Sequence, residues 1–172
     1  MKKITLHSEL IYILATLILS FSSAMQTAAN LGISMIIAPA YIVSQKLTFL
    51  TFGQSEYLVQ GLVFIAFCVL MKGFKPVYLA SFGTALFYGA ALDMWRTVIP
   101  AFNQSVTVPG SMPMPVRIAM LGSGMIITAT AVALFFHTYL YPQVYDFFVR
   151  EVSKRYKKDR TKFKIVFDTS CL

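Results

Sequence analysis

Four polar residues in or beside long apolar stretches are of types that could bind a small molecule or an ion: Gln26, Asn30, Asp93 and Arg96. Asp93 lies near the end of the third long apolar segment, and a carboxylate inside a membrane is costly and often functional. Alternatively, Asp93 lies at the membrane surface and pairs with Arg96, one helical turn further on. The spacing leaves both interpretations open.

Gln26 and Asn30 end the first apolar segment, just before Gly32 and Pro39 interrupt the chain. Interrupted helices form substrate sites near the middle of the membrane in transporters. The more ordinary role of such residues, which we favour, is hydrogen bonding between helices or capping of a helix end. Together with Asp93 and Arg96 they form the predicted polar site.

The sequence contains no motif for catalysis. It lacks a Gly-rich phosphate loop, a His/Cys cluster and a Ser-His-Asp set in a supporting context. His137 could relay protons, but an isolated histidine near a segment end is more often interfacial. Cys68 and Cys171 are placed for neither a metal site nor a disulfide. We therefore predict no enzyme, no metal and no cofactor.

The composition is that of a chain surrounded mostly by lipid. Hydrophobic residues make up 57% and charged residues 13%, whereas soluble domains have about 25% charged residues. The net charge is +8, but the basic residues gather at segment ends and in a C-terminal block. Membrane topology and anionic lipid explain that pattern better than nucleic acid does.

The apolar segments predict an all-α fold, a polytopic transmembrane helical bundle in a single membrane domain, 1–172. A cleavable signal peptide is the alternative for the first segment, which we take as a retained span. About four spans are expected, at residues 10–29, 56–71, 77–95 and 116–141.

Two connections have distinct characters. Residues 30–46 are too apolar for a loop, so we expect a re-entrant or interfacial element with a short helix from Ala40 to Leu47 and Pro39 at its start. Residues 48–54 are predicted as a turn. Residues 97–115 form the longest polar loop, and their prolines give no indication of a helix.

The C-terminal region predicts an amphipathic cytoplasmic tail over 143–162, lying on the membrane surface, and the start of a further apolar segment over 163–172. A candidate tail motif consists of Asp146, Arg150, Glu151 and Asp168. These side chains could gate or dock against the first half of the chain, and the alternative, which we favour, is a solvated helix face.

The basic residues predict the orientation. All but three of the 15 Lys and Arg residues, the exceptions being Lys46, Arg96 and Arg117, would lie on one side of an even number of spans. The positive-inside rule then places both termini in the cytoplasm. The first and fourth spans would run in opposite directions, each followed by a proline and a short helix, which suggests an inverted repeat.

Several short motifs carry a family resemblance. Asn30-Leu31-Gly32, the Gly89-x-x-x-Asp93 ending, the tail from Tyr145 to Glu151 and the stretch from Lys164 to Asp168 resemble the YczE/YitT group of bacterial membrane proteins. The resemblance implies a multi-pass protein of the bacterial inner membrane without a settled activity. Relatives continue with one or two further glycine-rich apolar segments, so we expect this chain to be truncated.

We therefore expect an integral membrane protein whose best functional assignment is a small-molecule transporter or permease-like component. The alternative is a regulatory or scaffolding protein that acts through its basic cytoplasmic tail. The expected partners are the lipid bilayer, anionic lipids at the tail, and a second copy or a partner membrane subunit, with no nucleic acid.

Overall fold

The computed structural model describes residues 2–71, 76–103, 111–136, 138, 144–156 and 159–170. Throughout these ranges the chain is helical or irregular, without a β-strand. The elements are α1 (Lys2–Ala29), α2 (Ala38–Lys46), α3 (Phe52–Met71), α4 (Pro76–Val98), a 3-10 turn (Pro100–Phe102), α5 (Met114–Phe136), α6 (Val144–Arg155) and α7 (Arg160–Ser170). The all-α prediction is confirmed.

Within the described ranges, three helices contain stretches long and apolar enough to cross a membrane: Ser8–Ala29, Phe52–Val69 and Met114–Phe135. They correspond to the first, second and fourth expected spans. The third expected span is α4, which has 23 residues but carries polar residues such as Thr84, Tyr88 and Asp93 that lower its hydropathy. A fourth span therefore stays a prediction.

The exposure of the side chains on the two faces of α3 indicates whether the helix suits water or lipid. One face carries Glu56 and Gln60, both at 0% exposure, and the opposite face carries Leu62 and Val69, at 65% and 70% exposure. In water this arrangement would be inverted, because apolar surface would be buried and the carboxylate exposed. The exposed apolar face suits a lipid environment.

The chain divides into two compact units. The first contains Met1–Ile33 and Tyr88–Leu140, and the second contains Ser34–Phe87 and Tyr141–Leu172. Consequently α1 and α5 belong to the first unit, whereas α2, α3, α6 and α7 belong to the second. Each unit thus combines elements from both halves of the sequence.

In the first unit, α1 and α5 form an antiparallel pair. Tyr12, near the start of α1, meets Phe135, near the end of α5, with ring centroids 5.7 Å apart. At the other end, Arg117 donates from its Nε to the Ala29 carbonyl at 2.7 Å. The antiparallel direction agrees with the expected inverted repeat, and the duplication itself stays a prediction.

An aromatic group fixes the end of α4 and the 3-10 turn against α1. The ring of Phe21 lies 5.2 Å from that of Trp95 and 5.6 Å from that of Phe102. The indole of Trp95 also donates to the Leu17 carbonyl at 3.2 Å. The prediction that residues 97–115 contain no helix is wrong at its edges, because α4 continues to Val98 and the buried Phe102 anchors a 3-10 turn. Residues 104–110 lie outside the described ranges.

In the second unit, the apolar face of α6 packs against α3. Phe148, Val149 and Val152 form a buried cluster with Phe67, and the rings of Phe67 and Phe148 are 6.0 Å apart. The expectation that this face lies on the membrane surface is therefore corrected, because protein already covers it. The periodicity of the apolar residues was compatible with either partner.

The tail forms two helices rather than one continuous amphipathic stretch over 143–162. The side chain of Asp159 accepts a hydrogen bond from the Thr161 backbone N–H at 2.9 Å, which is the geometry of an N-terminal helix cap. This cap starts α7 at Arg160. Residues 163–170 of the expected further apolar segment therefore continue a helix that begins with basic residues.

The start of α3 also differs from the prediction, which placed a turn over residues 48–54. The Thr51 hydroxyl accepts from the Gln54 backbone N–H at 3.1 Å, and the Gln54 amide oxygen accepts from the Thr51 backbone N–H at 3.0 Å. This reciprocal capping box begins α3 at Phe52, four residues before the expected boundary. Hydropathy marks the apolar part of a helix and misses its polar first turn.

Three other helix boundaries also differ from the expected ones. Helix α1 begins at Lys2, before the apolar stretch that marked the span, and α2 covers Ala38–Lys46 with Pro39 in its first turn. Helix α5 ends at Phe136, and residues 139–143 lie outside the described ranges. Helices extend beyond their apolar sections wherever polar residues also have adequate helix propensity.

The close contact between α1 and α5 gives a stability prediction. A Cβ added at Gly124 would lie 2.8 Å from Cγ of Gln26, whereas a Cβ at Gly122, two residues earlier, meets nothing within 4 Å. We expect Gly124→Val to destabilise the protein by about 1–3 kcal/mol through overpacking. Thermal unfolding of the detergent-solubilised protein should show a lower midpoint for Gly124→Val than for Gly122→Val. Equal midpoints would contradict the close contact.

Candidate functional site

Gln26 lies in a hydrogen-bonded chain that joins α1 to α5. Its side-chain amide donates to the Thr128 hydroxyl at 2.8 Å, and Thr128 shares a 2.8 Å hydrogen bond with Ser22. The Ser22 hydroxyl also donates to the Leu19 carbonyl at 2.8 Å, so Thr128 is the donor to Ser22. The amide nitrogen of Gln26 is thus used between helices, which is the packing role that the sequence left open.

Asn30 ends α1 in a left-handed conformation, with φ of +50°. Asparagine tolerates this conformation at a helix C-terminus better than most residues. The Arg117 guanidinium donates to the Asn30 carbonyl at 2.5 Å and to the Ala29 carbonyl at 2.7 Å. Arg117 therefore satisfies two carbonyls that the end of a helix leaves without intrahelical partners.

Asp93 and Arg96 lie near the end of α4, and both side chains are half-buried. Nε of Arg96 donates weakly, at 3.4 Å, to the carbonyl of Phe102 in the 3-10 turn. The Asp93 backbone carbonyl accepts from the Thr97 hydroxyl at 2.8 Å. Residues of α5 thus hydrogen-bond to the Gln26 side chain and to the Asn30 backbone carbonyl, whereas Arg96 contacts the segment after α4. A substrate role for the four residues stays a prediction.

The tail motif is described only in part. Glu151 is half-buried on α6, whereas the side chains of Asp146, Arg150 and Asp168 lie outside the described residues. Close to the motif, the Arg155 guanidinium donates to the Met71 carbonyl at the end of α3. This contact, like the apolar cluster, attaches α6 to α3.

The most unusual polar group in the described chain is one that sequence reasoning missed. Glu56 and Gln60 lie one turn apart on α3, both at 0% exposure, inside the apolar stretch Phe52–Val69. The Gln60 amide donates to Oε1 of Glu56 at 2.9 Å. Oε2 of Glu56 and Oε1 of Gln60 have no hydrogen-bond partner among the described residues.

The sequence does contain a signal for this pair. A carboxylate followed four residues later by an amide, both within an apolar helix, places two polar side chains on one face. The predicted second span begins at Glu56, and a charged residue at the edge of a span is usually interfacial. The capping box moves the helix start to Phe52, so Glu56 lies within the helix rather than at its edge.

The pair has more hydrogen-bond acceptors than donors, and both of its side chains are fully buried. The Gln60 amide nitrogen donates to Oε1 of Glu56, and two further oxygens, Oε2 of Glu56 and Oε1 of Gln60, have no hydrogen-bond partner in the described part of the chain. An unsatisfied buried polar group costs about 1–3 kcal/mol. A group that brings positive charge or N–H or O–H donors would remove this cost. Among the described residues, no three His, Cys, Asp or Glu side chains come together as a metal site.

The fold and the buried polar pair define an all-helical protein with helices suited to cross a membrane. The chain belongs to a family of unknown function, DUF6198, whose sequence pattern matches residues 6–172. No curated protein and no solved structure matches the chain. The family carries no activity that could be transferred to these residues.

The Arg117 contact gives a second stability prediction. Replacing Arg117 by Gln removes two charge-assisted hydrogen bonds to the end of α1, and we expect a loss of about 2 kcal/mol of unfolding free energy. Arg117→Lys keeps the charge but lacks the forked donor geometry, so its loss should be smaller. Chemical denaturation of the purified protein in detergent measures the order. An unchanged stability of Arg117→Gln would show that α1 ends independently of α5.

Proposed function

We propose that this protein is an integral membrane protein that transports a small molecule or an ion. The observation that carries the proposal is the Glu56–Gln60 pair, which is fully buried within an apolar helix and has two oxygens without a hydrogen-bond partner among the described residues. Ionisable residues inside membrane helices are rare, and they mark substrate pathways, ion pathways and proton relays. A packing role would predict hydrogen bonds to a neighbouring helix, such as the one from the Gln26 amide of α1 to Thr128 of α5.

Transport fits the site better than catalysis does. The pair offers one carboxylate and one amide, without a nucleophile beside a base, and the sequence contains no catalytic motif. A carboxylate that binds and releases a positively charged or hydrogen-bond-donating group needs no further chemistry. We accordingly propose that the protein is not an enzyme and uses no cofactor.

Our proposal extends to location and relatives. The Lys and Arg distribution supports four spans with both termini in the cytoplasm, and α4 would supply the fourth. The short motifs around Asn30, Asp93 and Glu151 support a relation to the YczE/YitT group and thus a bacterial inner membrane. The exposed apolar faces of the helices leave room for a second copy or a partner subunit.

A second candidate function is regulation through the basic tail. The apolar face of α6 is buried against α3, while Lys154 on α6 and Lys162 on α7 are exposed. Because the apolar side chains of α6 that the structure describes are buried, attraction to a membrane would be electrostatic. Each basic residue near an anionic leaflet contributes about 1 kcal/mol. We propose anionic phospholipid headgroups as the partner of this surface.

Transport is tested with the full chain in proteoliposomes and radiolabelled probes: amino acids, nucleobases, organic amines and monovalent cations. We expect at least one probe class to accumulate above the level in protein-free vesicles. Glu56→Gln should lower that uptake at least tenfold, because it removes the charge from the buried pair. The matched control is Glu9→Gln, the same change at an exposed position of α1, which should transport like the wild type. Absence of uptake for every class, or full uptake by Glu56→Gln, would refute the proposal.

Lipid binding by the tail is tested by native mass spectrometry with phosphatidylglycerol and phosphatidylcholine. We expect Lys154→Gln and Lys162→Gln, singly and together, to reduce the retained phosphatidylglycerol progressively. Lys46→Gln, a change of an exposed lysine on α2, is the charge-matched control. Equal retention in all variants would remove the electrostatic basis of the second candidate.

A further inference from the structure

The unmatched oxygens of Glu56 and Gln60 specify the kind of ligand that the pair would take. Both oxygens are acceptors, and the hydrogen bond from the Gln60 amide nitrogen goes to Oε1 of Glu56 rather than to Oε2. A neutral or anionic ligand without donors would leave the excess of acceptors unchanged. The missing component is therefore a proton, a metal cation or a donor group.

No counter-charge occupies that place in the described structure. Glu56 has no ion-pair partner among the described residues, since its sole polar contact there is the Gln60 amide. An ionised carboxylate that is buried with one hydrogen bond has a large desolvation cost. Neutralisation at Oε2 removes that cost.

The ligand count favours a proton over a calcium or magnesium ion. Calcium takes six to eight oxygen ligands and magnesium requires near-octahedral coordination. The pair supplies two unpartnered oxygens, one from Glu56 and one from Gln60. The nearby Ser55 hydroxyl donates to the Thr51 carbonyl at 3.0 Å and is already hydrogen-bonded. A proton needs a single oxygen and converts Oε2 from an acceptor into a donor.

The neighbouring elements of the second unit bring few groups that could replace the proton. Phe82–Phe87 of α4 include no titratable side chain. On α2, Tyr41 packs its ring 5.6 Å from that of Phe52, and Lys46 is exposed. On α6 and α7 the charged or titratable side chains whose exposure is described are Tyr145, Glu151, Lys154, Arg155, Lys162 and Lys164. The contacts of α6 with α3 are at the opposite end, around Phe67 and Met71.

Glu56 is also near the N-terminal end of α3, and this is the side from which we expect a proton to reach it. The capping residue Thr51 is exposed, and five residues of helix correspond to about 7.5 Å along the axis. The route for a proton is therefore short compared with the hydrocarbon thickness of about 30 Å.

We propose that Glu56 is a proton-exchange site, with Gln60 as the residue that positions its carboxyl group. On uptake, a proton from water forms an O–H bond at Oε2 and the carboxylate becomes a neutral acid; on release, that bond breaks and the proton returns to water. The role of this exchange in coupling proton movement to transport rests on the proposed transport function. The exchange itself can be measured without any transported substrate.

The test is infrared difference spectroscopy of the full chain in lipid, between pH 5 and pH 9. We expect a carboxylic acid C=O band that changes with pH, shifts in D2O, is lost in Glu56→Gln and remains in Glu9→Gln. Gln60→Leu should move the band to higher frequency, because Oε1 loses its N–H donor. This second variant tests the assignment even if Glu56→Gln fails to fold.

Three outcomes would overturn the proposal: an unchanged band in folded Glu56→Gln, no pH-dependent acid band in the wild type, or a band that responds to Na⁺ at fixed pH and not to pH. The two proposals fail differently. A titrating Glu56 band without uptake of any probe keeps proton exchange and removes transport. Uptake that requires Glu56 without a titrating band keeps transport and removes proton exchange.

Discussion

The structure depends on one constraint: a polar group enclosed by apolar surroundings must find its hydrogen bonds within the protein, because lipid supplies none. The contact between α1 and α5 meets this constraint. Gln26, Thr128 and Ser22 form a continuous donor–acceptor chain that ends on a backbone carbonyl. Gly124 lets the helices approach closely enough for that chain to form. Arg117 extends the same principle to the end of α1, where helix carbonyls would otherwise lack partners.

Against this background, the Glu56–Gln60 pair stands out because the buried group without a hydrogen-bond partner among the described residues is a carboxylate oxygen, and not only a hydroxyl as at Ser153. The same protein that gives the Gln26 amide a hydroxyl acceptor on α5 leaves a fully buried carboxylate with one hydrogen bond among the described residues. Replacing both residues by apolar ones of similar size would be nearly neutral or stabilising. A polar pair that stability does not require is best explained by a ligand that the pair accepts for part of a cycle. This contrast carries our proposals.

Much of the fold was predictable because apolar segment length and helix period are properties of the sequence itself. The all-α class and the long helices that contain Ser8–Ala29, Phe52–Val69 and Met114–Phe135 follow from hydropathy. The start of α3 did not, because the Thr51–Gln54 capping box is a polar signal that hydropathy ignores. The partner of the apolar face of α6 was also not predictable, since lipid and α3 are equally apolar. Likewise, a sequence can place Glu56 on a helix face, but only packing shows that the face is buried.

The second unit gives α3 a central position. Helix α2 meets the start of α3 through Tyr41 and Phe52, with rings 5.6 Å apart, and α6 meets its end through Phe148 and Phe67. In the expected repeat, α2 and α6 are the corresponding short helices of the two halves, so both halves contribute a contact to the same long helix. Glu56 and Gln60 lie between these two contacts. Apolar contacts thus attach both ends of α3 to neighbouring helices, whereas the hydrogen bond of the polar pair lies within α3 itself and joins it to no other helix.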